Sequence, residues 1–198
     1  MIVLLDYGAG NVGSVLKAVK YLGFPAQVAS TTDALESADK IILPGQGHFG
    51  AMIKAMEERA LLPVLRKKLA AGTPYLGICL GLQALYAASE EAPGVAGLGV
   101  LDGAVTRFQA LEKVPQIGWN QLRIRRASRL FLSVKDGSFA YFCHSYYGPV
   151  VPEAVAVTEY GETYASGVEK DNVWAVQFHP EKSGDVGLRV LRNFLESP

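Results

Sequence analysis

A cysteine flanked by glycines is the feature of this sequence with the clearest chemical potential. The segment Gly77-Ile78-Cys79-Leu80-Gly81 ends the apolar run "PYLGIC" and leads into residues with helical spacing. A sharp strand-to-helix turn of this kind pushes a nucleophilic side chain out of the sheet, and the glycines avoid clashes between the crossing elements. The start of a helix favours a thiolate, and the N–H of Leu80 could receive an oxyanion. A buried structural cysteine is the alternative, but the glycine on each side favours the nucleophile.

A cysteine nucleophile needs a base, and the base needs a group that orients it. The chain has three histidines, His48, His144 and His179. His179 ends the apolar run "VWAVQFH", and Pro180 cannot continue the strand, so the imidazole is predicted at a strand end. If the chain stays extended, Glu181 points the same way and could hold the imidazole tautomer. A surface histidine beside an unrelated glutamate explains the spacing equally well.

Two glycine-rich segments follow predicted strands. In "ILPGQGHFG", residues 42–50, backbone N–H groups could converge on an anion, although an ordinary β-to-α turn is by itself the simpler explanation. Residues 8–13, "GAGNVG", fit the G-x-G-x-x-G pattern of dinucleotide-binding loops. Such a loop needs an acidic residue about 20 positions later, and residues 27–30 read "QVAS". We therefore interpret residues 8–13 as a tight turn at the same sheet edge as Cys79.

A polar segment, "HSYY", follows the apolar residues "YFC" in the second half of the chain. Strand alternation predicts His144 and Tyr146 on one face, with Ser145 and Tyr147 on the other. Cys143 is predicted to pack in the core. The polar side chains could bind a small polar substrate or merely form the edge of the sheet.

The elements that must position these residues change in type along the chain. The first ninety residues predict strands at "IVLLD", "AQVAS", "KIILP" and "PYLGIC", with helices over 12–22, over 48–71 with a break near Pro63, and in "LGLQALYAAS". The second half predicts short antiparallel strands, closed by a helix over 185–195. We expect an α/β fold of one domain, 1–198. Its open, mostly parallel twisted sheet has helices on both faces and an antiparallel extension in the C-terminal half.

The composition excludes several classes of protein. Lysine plus arginine and aspartate plus glutamate number 19 each in 198 residues, which predicts no nucleic-acid partner. The basic segment "RIRRASR" is interpreted as a solvated strand edge or turn, with a phosphate contact as the alternative. No apolar run approaches the roughly 20 residues of a membrane helix, and no secretory signal precedes the first strand. We expect a cytoplasmic protein with two reduced cysteines and no membrane partner.

The order of "PGQG", "GICLGLQ" and "QFHPEKS" resembles the class I, triad-type glutamine amidotransferases. Within that family, "DYGAGN", "PQIGWN" and "YFCHSYY" are similar to the glutaminase subunits of imidazole glycerol phosphate synthases. The resemblance extends from Asp6 to Ser183. It departs from the pattern at Gln46, where a small apolar residue is usual, and at Leu82, where methionine is usual.

The resemblance implies a glutaminase that needs neither a metal nor an organic cofactor. It implies a catalytic triad of Cys79, His179 and Glu181, with Gln46 and Leu80 in the oxyanion hole. The implied glutamine-binding residues are Gly45, Gly47, Gln83, His144, Ser145 and Tyr146.

The resemblance also implies a partner, because ammonia released into water at neutral pH would become ammonium. The implied partner is a (β/α)8-barrel cyclase subunit, which uses ammonia to make imidazole glycerol phosphate in histidine biosynthesis. The residues expected at that heterodimer interface are Asn11, Trp119, Tyr141 and Lys182. Two alternatives remain open: the glutaminase subunit of another synthase, such as pyridoxal phosphate synthase, and a non-catalytic binding module of the same fold.

Overall fold

The computed structural model describes residues 1–8, 11–109 and 113–198 of the chain. The strands are β1 Ile2–Leu5, β2 Ala26–Ala29, β3 Lys40–Gly45, β4 Tyr75–Cys79, β5 Tyr86–Ser89, β6 Leu101–Arg107, β7 Gln116–Gln121, β8 Arg123–Ile124, β9 Phe139–His144, β10 Tyr146–Tyr147, β11 Ala154–Tyr160, β12 Glu162–Lys170 and β13 Val173–Val176. The helices are α1 Val12–Tyr21, α2 Thr32–Glu36, α3 Phe49–Glu58, α4 Leu61–Ala70, α5 Leu80–Gln83 and α6 Gly184–Glu196, and Pro180–Lys182 forms a 3-10 turn.

The main sheet has eight strands in the order β2-β1-β3-β4-β13-β12-β11-β8. The strands from β2 to β13 in that order run parallel, and β12, β11 and β8 are added antiparallel. The predicted α/β fold with an antiparallel extension is therefore confirmed. Because β13 pairs with β4, the chain just after Val176 and the end of β4 at Cys79 lie at the same sheet edge.

Helices cover both faces of this sheet, as the apolar strands require. Val3 and Leu5 face the cluster that contains residues of α2, α3 and α4, whereas Ile2 and Leu4 face the cluster that contains residues of α1 and α6. Side chains therefore alternate between two cores along β1. Within the described residues, none of the helices has the length and apolar character needed to cross a membrane.

Two smaller sheets accompany the main one. One joins β10, β6 and β5, and the other pairs β7 with β9 antiparallel, placing Trp119 opposite Tyr141. The helix predicted across "LGLQALYAAS" was wrong in its second half, since α5 ends at Gln83 and residues 86–89 form the strand β5. Tyr86 is fully buried and pairs with Leu101 of β6, so tertiary pairing decides a short apolar run whose periodicity is ambiguous.

The helix break expected near Pro63 lies slightly earlier in the chain. Ala60 adopts a left-handed conformation, with φ of 54°, between α3 and α4. Pro63 falls in the first turn of α4, where a backbone N–H has no partner within the helix and proline is tolerated. The break is therefore at Ala60, and Pro63 belongs to the second helix.

Candidate active site

Cys79 occupies a strained turn between β4 and α5. Its backbone has φ of 55° and ψ of −104°, a conformation that residues other than glycine rarely adopt. The glycines around it permit close packing: a Cβ at Gly77 would lie 2.5 Å from the carbonyl oxygen of Gly81, and one at Gly81 would overlap the carbonyl oxygen of Leu43. The expected strand–turn–helix geometry is present. However, α5 has only four residues, so its dipole is a weaker source of thiolate stabilisation than the sequence led us to expect.

His179 and Glu181 form a buried pair. The imidazole Nδ1 lies 2.9 Å from Glu181 Oε1, and the two side chains are 1% and 0% exposed. The chain is not extended here: residues 180–182 form a 3-10 turn, and this turn brings the two groups together. The side-chain amide of Asn11 also donates to Glu181 Oε1, at 2.6 Å. The carboxylate therefore accepts the Nδ1 proton of His179, which leaves Nε2 available for chemistry.

The electrostatic surroundings favour a protonated His179. Burial lowers the pKa of its imidazole, but the negative charge of the Cys79 sulfur and the hydrogen bond and charge of Glu181 oppose this effect. The net result is a pKa well above the usual value for histidine.

Cys79 lies on the wall of a cavity of about 330 Å³. Seven other residues anticipated for the site line this cavity, namely Gln46, Gly47, Leu80, Gln83, His144, Ser145 and Tyr146. Gly45 does not line it, because it is buried in β3, where a Cβ would come within 2.7 Å of the Leu80 Cβ. Three lining residues were not anticipated: Glu91, Pro115 and Cys143.

The segment after β9 does not follow simple strand alternation. A bend at Ser145 separates β9 from β10, so Ser145 and both of its neighbours line the cavity. Cys143 is only partly buried and also lines the cavity, so its expected place in the core was wrong. His144 is oriented by a 2.8 Å hydrogen bond between Nδ1 and the Tyr146 carbonyl oxygen. Burial lowers the pKa of His144 to about 4, so its imidazole is neutral at neutral pH.

A chain of buried amides leads from the cavity to the sulfur. The Gln83 side-chain amide donates to the Tyr146 carbonyl oxygen at 2.7 Å and to Gln177 Oε1 at 3.2 Å. The Gln177 amide donates in turn to Cys79 Sγ at 3.6 Å. Sequence reasoning missed Gln177, although a polar residue within the apolar run "VWAVQF" was a visible signal.

The residues expected at a partner interface occupy two places. Trp119 on β7 and Tyr141 on β9 pack edge to face, and Lys182 Nζ lies 5.8 Å from the Tyr141 ring centre. Trp119 is 56% exposed. Asn11 contacts Glu181 instead, so it touches the candidate catalytic pair. Gly10, from the glycine pattern before Asn11, lies outside the described residues.

Comparison with known proteins agrees with this geometry. The family model for glutamine amidotransferase class-I matches residues 3–197. Imidazole glycerol phosphate synthase subunit HisH of Methanothermobacter thermautotrophicus is 47% identical over 197 residues, covering 99% of this chain and 98% of that protein. The subunit HisH of Bacillus cereus (strain G9842) is 44% identical over 195 residues, covering 98% and 93%.

A crystal structure of a glutamine amidotransferase has the same fold, with a TM-score of 0.78 at 24% identity over 99% of this chain and 98% of that one. The resemblance that the motifs indicate is thus confirmed at the level of sequence and of fold. The chain belongs to the class-I glutamine amidotransferases and is a glutamine-hydrolysing enzyme.

Proposed function

We propose that Cys79, His179 and Glu181 are the triad by which this enzyme hydrolyses glutamine. The buried His179–Glu181 pair carries the proposal, because it supplies a base with a fixed tautomer at the same sheet edge as a nucleophile on a cavity wall. A structural histidine would not need a fully buried carboxylate partner.

In the first step, the Cys79 thiolate attacks the carboxamide carbon of glutamine. A C–S bond forms, and the carbonyl electrons move to oxygen, where the N–H groups of Leu80 and Gln46 would receive the charge. His179 donates its Nε2 proton to the leaving nitrogen as the C–N bond breaks. The products of this step are ammonia and a glutamyl thioester on Cys79.

In the second step, water replaces ammonia. His179, now neutral, accepts a proton from water while the oxygen attacks the thioester carbon. The C–S bond then breaks, which releases glutamate with its new carboxyl group protonated and restores the thiolate and imidazolium pair; the carboxyl proton then passes to water. Glu181 remains ionised throughout and holds the Nδ1 proton of His179 in place.

Glu91 is our candidate for recognition of the amino-acid part of glutamine. Its carboxyl group lines the cavity, and one oxygen accepts the backbone N–H of Phe49 at 2.7 Å. A carboxylate fixed in this way suits an α-ammonium group, because opposite charges attract and the ammonium brings three hydrogen-bond donors. The neutral His144 nearby adds no positive charge that would repel the ammonium.

We further propose that the chain delivers ammonia to a (β/α)8-barrel cyclase within an imidazole glycerol phosphate synthase of histidine biosynthesis. The names of the relatives support a partner subunit, because both are subunits of that synthase. An exposed apolar strip on the small β7–β9 sheet supports a docking surface near the cavity: Ile117 is 61% exposed, Trp119 56% and Phe139 50%. Tyr141 and Lys182 adjoin this strip.

The glycine loop after β3 is proposed as the control point of the enzyme. The Gly45–Gln46 peptide must present its N–H for the oxyanion hole to be complete, and loss of one such donor typically costs about a hundredfold to a thousandfold in turnover. Tyr7 donates a long hydrogen bond to the Gln46 carbonyl oxygen, at 3.4 Å, which is a weak anchor. The isolated chain is therefore expected to be a poor glutaminase that is stimulated when the barrel binds its substrate.

Glutamate release tests the proposed function. The rate is measured for the chain alone, with the cyclase barrel and the substrate of that barrel, and with the barrel and substrate of an unrelated glutaminase-dependent synthase. The proposal predicts that the cyclase barrel stimulates glutamate release and that the unrelated barrel does not. Stimulation by the unrelated barrel instead would assign the chain to another synthase, and no release in any mixture would indicate a non-catalytic module.

A further inference from the structure

Gln177 is a fully buried amide that the proposed mechanism does not use. It follows β13, and its side chain is 0% exposed. The pairing of Val176 with Ile78, continued by one residue, sets Gln177 beside Cys79. Its backbone N–H donates to the Ser166 carbonyl oxygen at 3.1 Å. A buried amide without hydrogen-bond partners is costly, so we examined which groups this side chain contacts.

The hydrogen bonds fix which end of the Gln177 amide faces the sulfur. The Tyr146 carbonyl oxygen can only accept, so Gln83 must present its NH₂ group there, at 2.7 Å. That same NH₂ group contacts Gln177 at 3.2 Å, so Gln177 must present its oxygen to Gln83. The NH₂ group of Gln177 therefore points at Cys79 Sγ, 3.6 Å away.

A donor aimed at a cysteine sulfur favours the charged form, because a thiolate accepts hydrogen bonds more strongly than a thiol. The four-residue helix α5 supplies little dipole to do the same. We propose that Gln177 is a positioning residue that holds Cys79 Sγ and stabilises its thiolate. Gln177 does not line the cavity, so it acts through the sulfur rather than on glutamine. The proposal rests on Cys79 being the nucleophile.

The test is alkylation of Cys79 by iodoacetamide as a function of pH, followed by mass spectrometry in the full chain. Cys143, the other free cysteine, serves as an internal reference. Gln177→Met removes the donor at similar length. Gln177→Glu keeps the acceptor for Gln83 but replaces the NH₂ group by a charged oxygen. The pH midpoint of Cys79 alkylation should rise by about one unit in the Met variant and by more in the Glu variant. A rise of about one unit corresponds to tenfold less thiolate at pH values below the midpoint.

A matched control is Gln116→Met, which alters a second buried glutamine that contacts the Tyr164 hydroxyl at 2.8 Å and does not contact the sulfur. Its alkylation midpoint should equal that of the unmodified chain. A folded Gln177 variant with an unchanged midpoint would overturn the proposal. In the complex, the Met variant should lose turnover by a larger factor than it raises the KM for glutamine, because Gln83 keeps its hydrogen bond to the Tyr146 carbonyl oxygen.

A measurement on the unaltered chain covers the case in which neither variant folds. The NMR chemical shifts of the Gln177 Nε2 protons should change with pH at the same midpoint as Cys79 alkylation. Chemical shifts that stay constant through this pH range would refute the contact. Alkylation and NMR do not require glutamine hydrolysis. A chain that shows the coupled transition but releases no glutamate would thus refute the proposed function and leave the Gln177 contact standing.

Discussion

Replacing Glu181 by glutamine should separate the charge of the triad acid from its shape. Oε1 of Glu181 accepts hydrogen bonds from His179 and Asn11, whereas its buried Oε2 has no partner among the described residues. In Glu181→Gln, the remaining oxygen can keep both hydrogen bonds, and the new NH₂ group takes the place of Oε2. The substitution therefore removes mainly the negative charge.

The expected loss follows from the strength of the contact. A hydrogen bond to a charged group contributes about 1.5 to 3 kcal/mol and an ordinary one about 0.5 to 1.5 kcal/mol, so loss of the charge at a retained bond costs about 1 to 1.5 kcal/mol, or about 5- to 13-fold in turnover. Glu181→Gln should stay within this range, whereas His179→Ala should lose more, because it removes the proton path itself. The assay is glutamate release by the complex at saturating glutamine.

The pH profile gives a second and independent readout. Because the pKa of His179 is raised, its imidazolium persists at neutral pH and is lost only as the pH rises through that raised value. Removing the carboxylate charge lowers the pKa, so the alkaline limb of turnover should move to lower pH in Glu181→Gln. Asn11→Ala keeps the charge and should move this limb less. Equal rates for Glu181→Gln and His179→Ala, or an unmoved alkaline limb, would refute the assigned roles.

Three further predictions concern the substrate, the partner and the control loop. Glu91→Gln should raise the KM for glutamine at least tenfold with a smaller change in kcat, and an unchanged KM would remove Glu91 from substrate recognition. Trp119→Ala and Lys182→Ala should each weaken association with the barrel by tenfold or more in calorimetry, as anchors of an interface do. Leu132→Ala changes an exposed apolar residue outside the β7–β9 sheet and should leave the affinity for the barrel intact. If Leu132→Ala weakens association while the Trp119 and Lys182 variants do not, the docking surface lies elsewhere. Gly47 has φ of 103°, and an added Cβ would meet no neighbouring atom, so Gly47→Ala strains the glycine loop after β3 without a clash. This variant should change the stimulation of glutamate release by the liganded barrel more than it changes the KM for glutamine. A free chain as fast as the liganded complex would contradict this control.

The parts of the site that depend on local sequence could be predicted. The turn at Cys79 follows from an apolar strand, two glycines and a short helix, and the ends of two strands place Cys79 and His179 at one edge. The adjacency of β4 and β13 depends on a pairing between segments almost a hundred positions apart, which no local pattern encodes. The His179–Glu181 contact was anticipated from an extended chain, but a 3-10 turn produces it.

The missed residues share a physical cause. Gln177, Glu91 and the contact of Asn11 with Glu181 acquire their roles only when distant segments fold against one another. The strand β5 was missed for a similar reason, since its apolar residues suit a helix until Tyr86 pairs with β6. Periodicity predicts which side of an element is buried, whereas hydrogen-bond partners of buried polar groups depend on the assembled core.

The central claim, that Cys79 releases ammonia from glutamine for use by the barrel, is tested most directly with two cysteine variants. Cys79→Ala and Cys143→Ala are each assembled with the cyclase barrel, and product formation is measured with glutamine and, separately, with ammonium salts at alkaline pH. We predict that Cys79→Ala loses glutamine-dependent synthesis and keeps ammonia-dependent synthesis, while Cys143→Ala retains both. Glutamine consumption by Cys79→Ala at the rate of the unaltered complex would contradict the account.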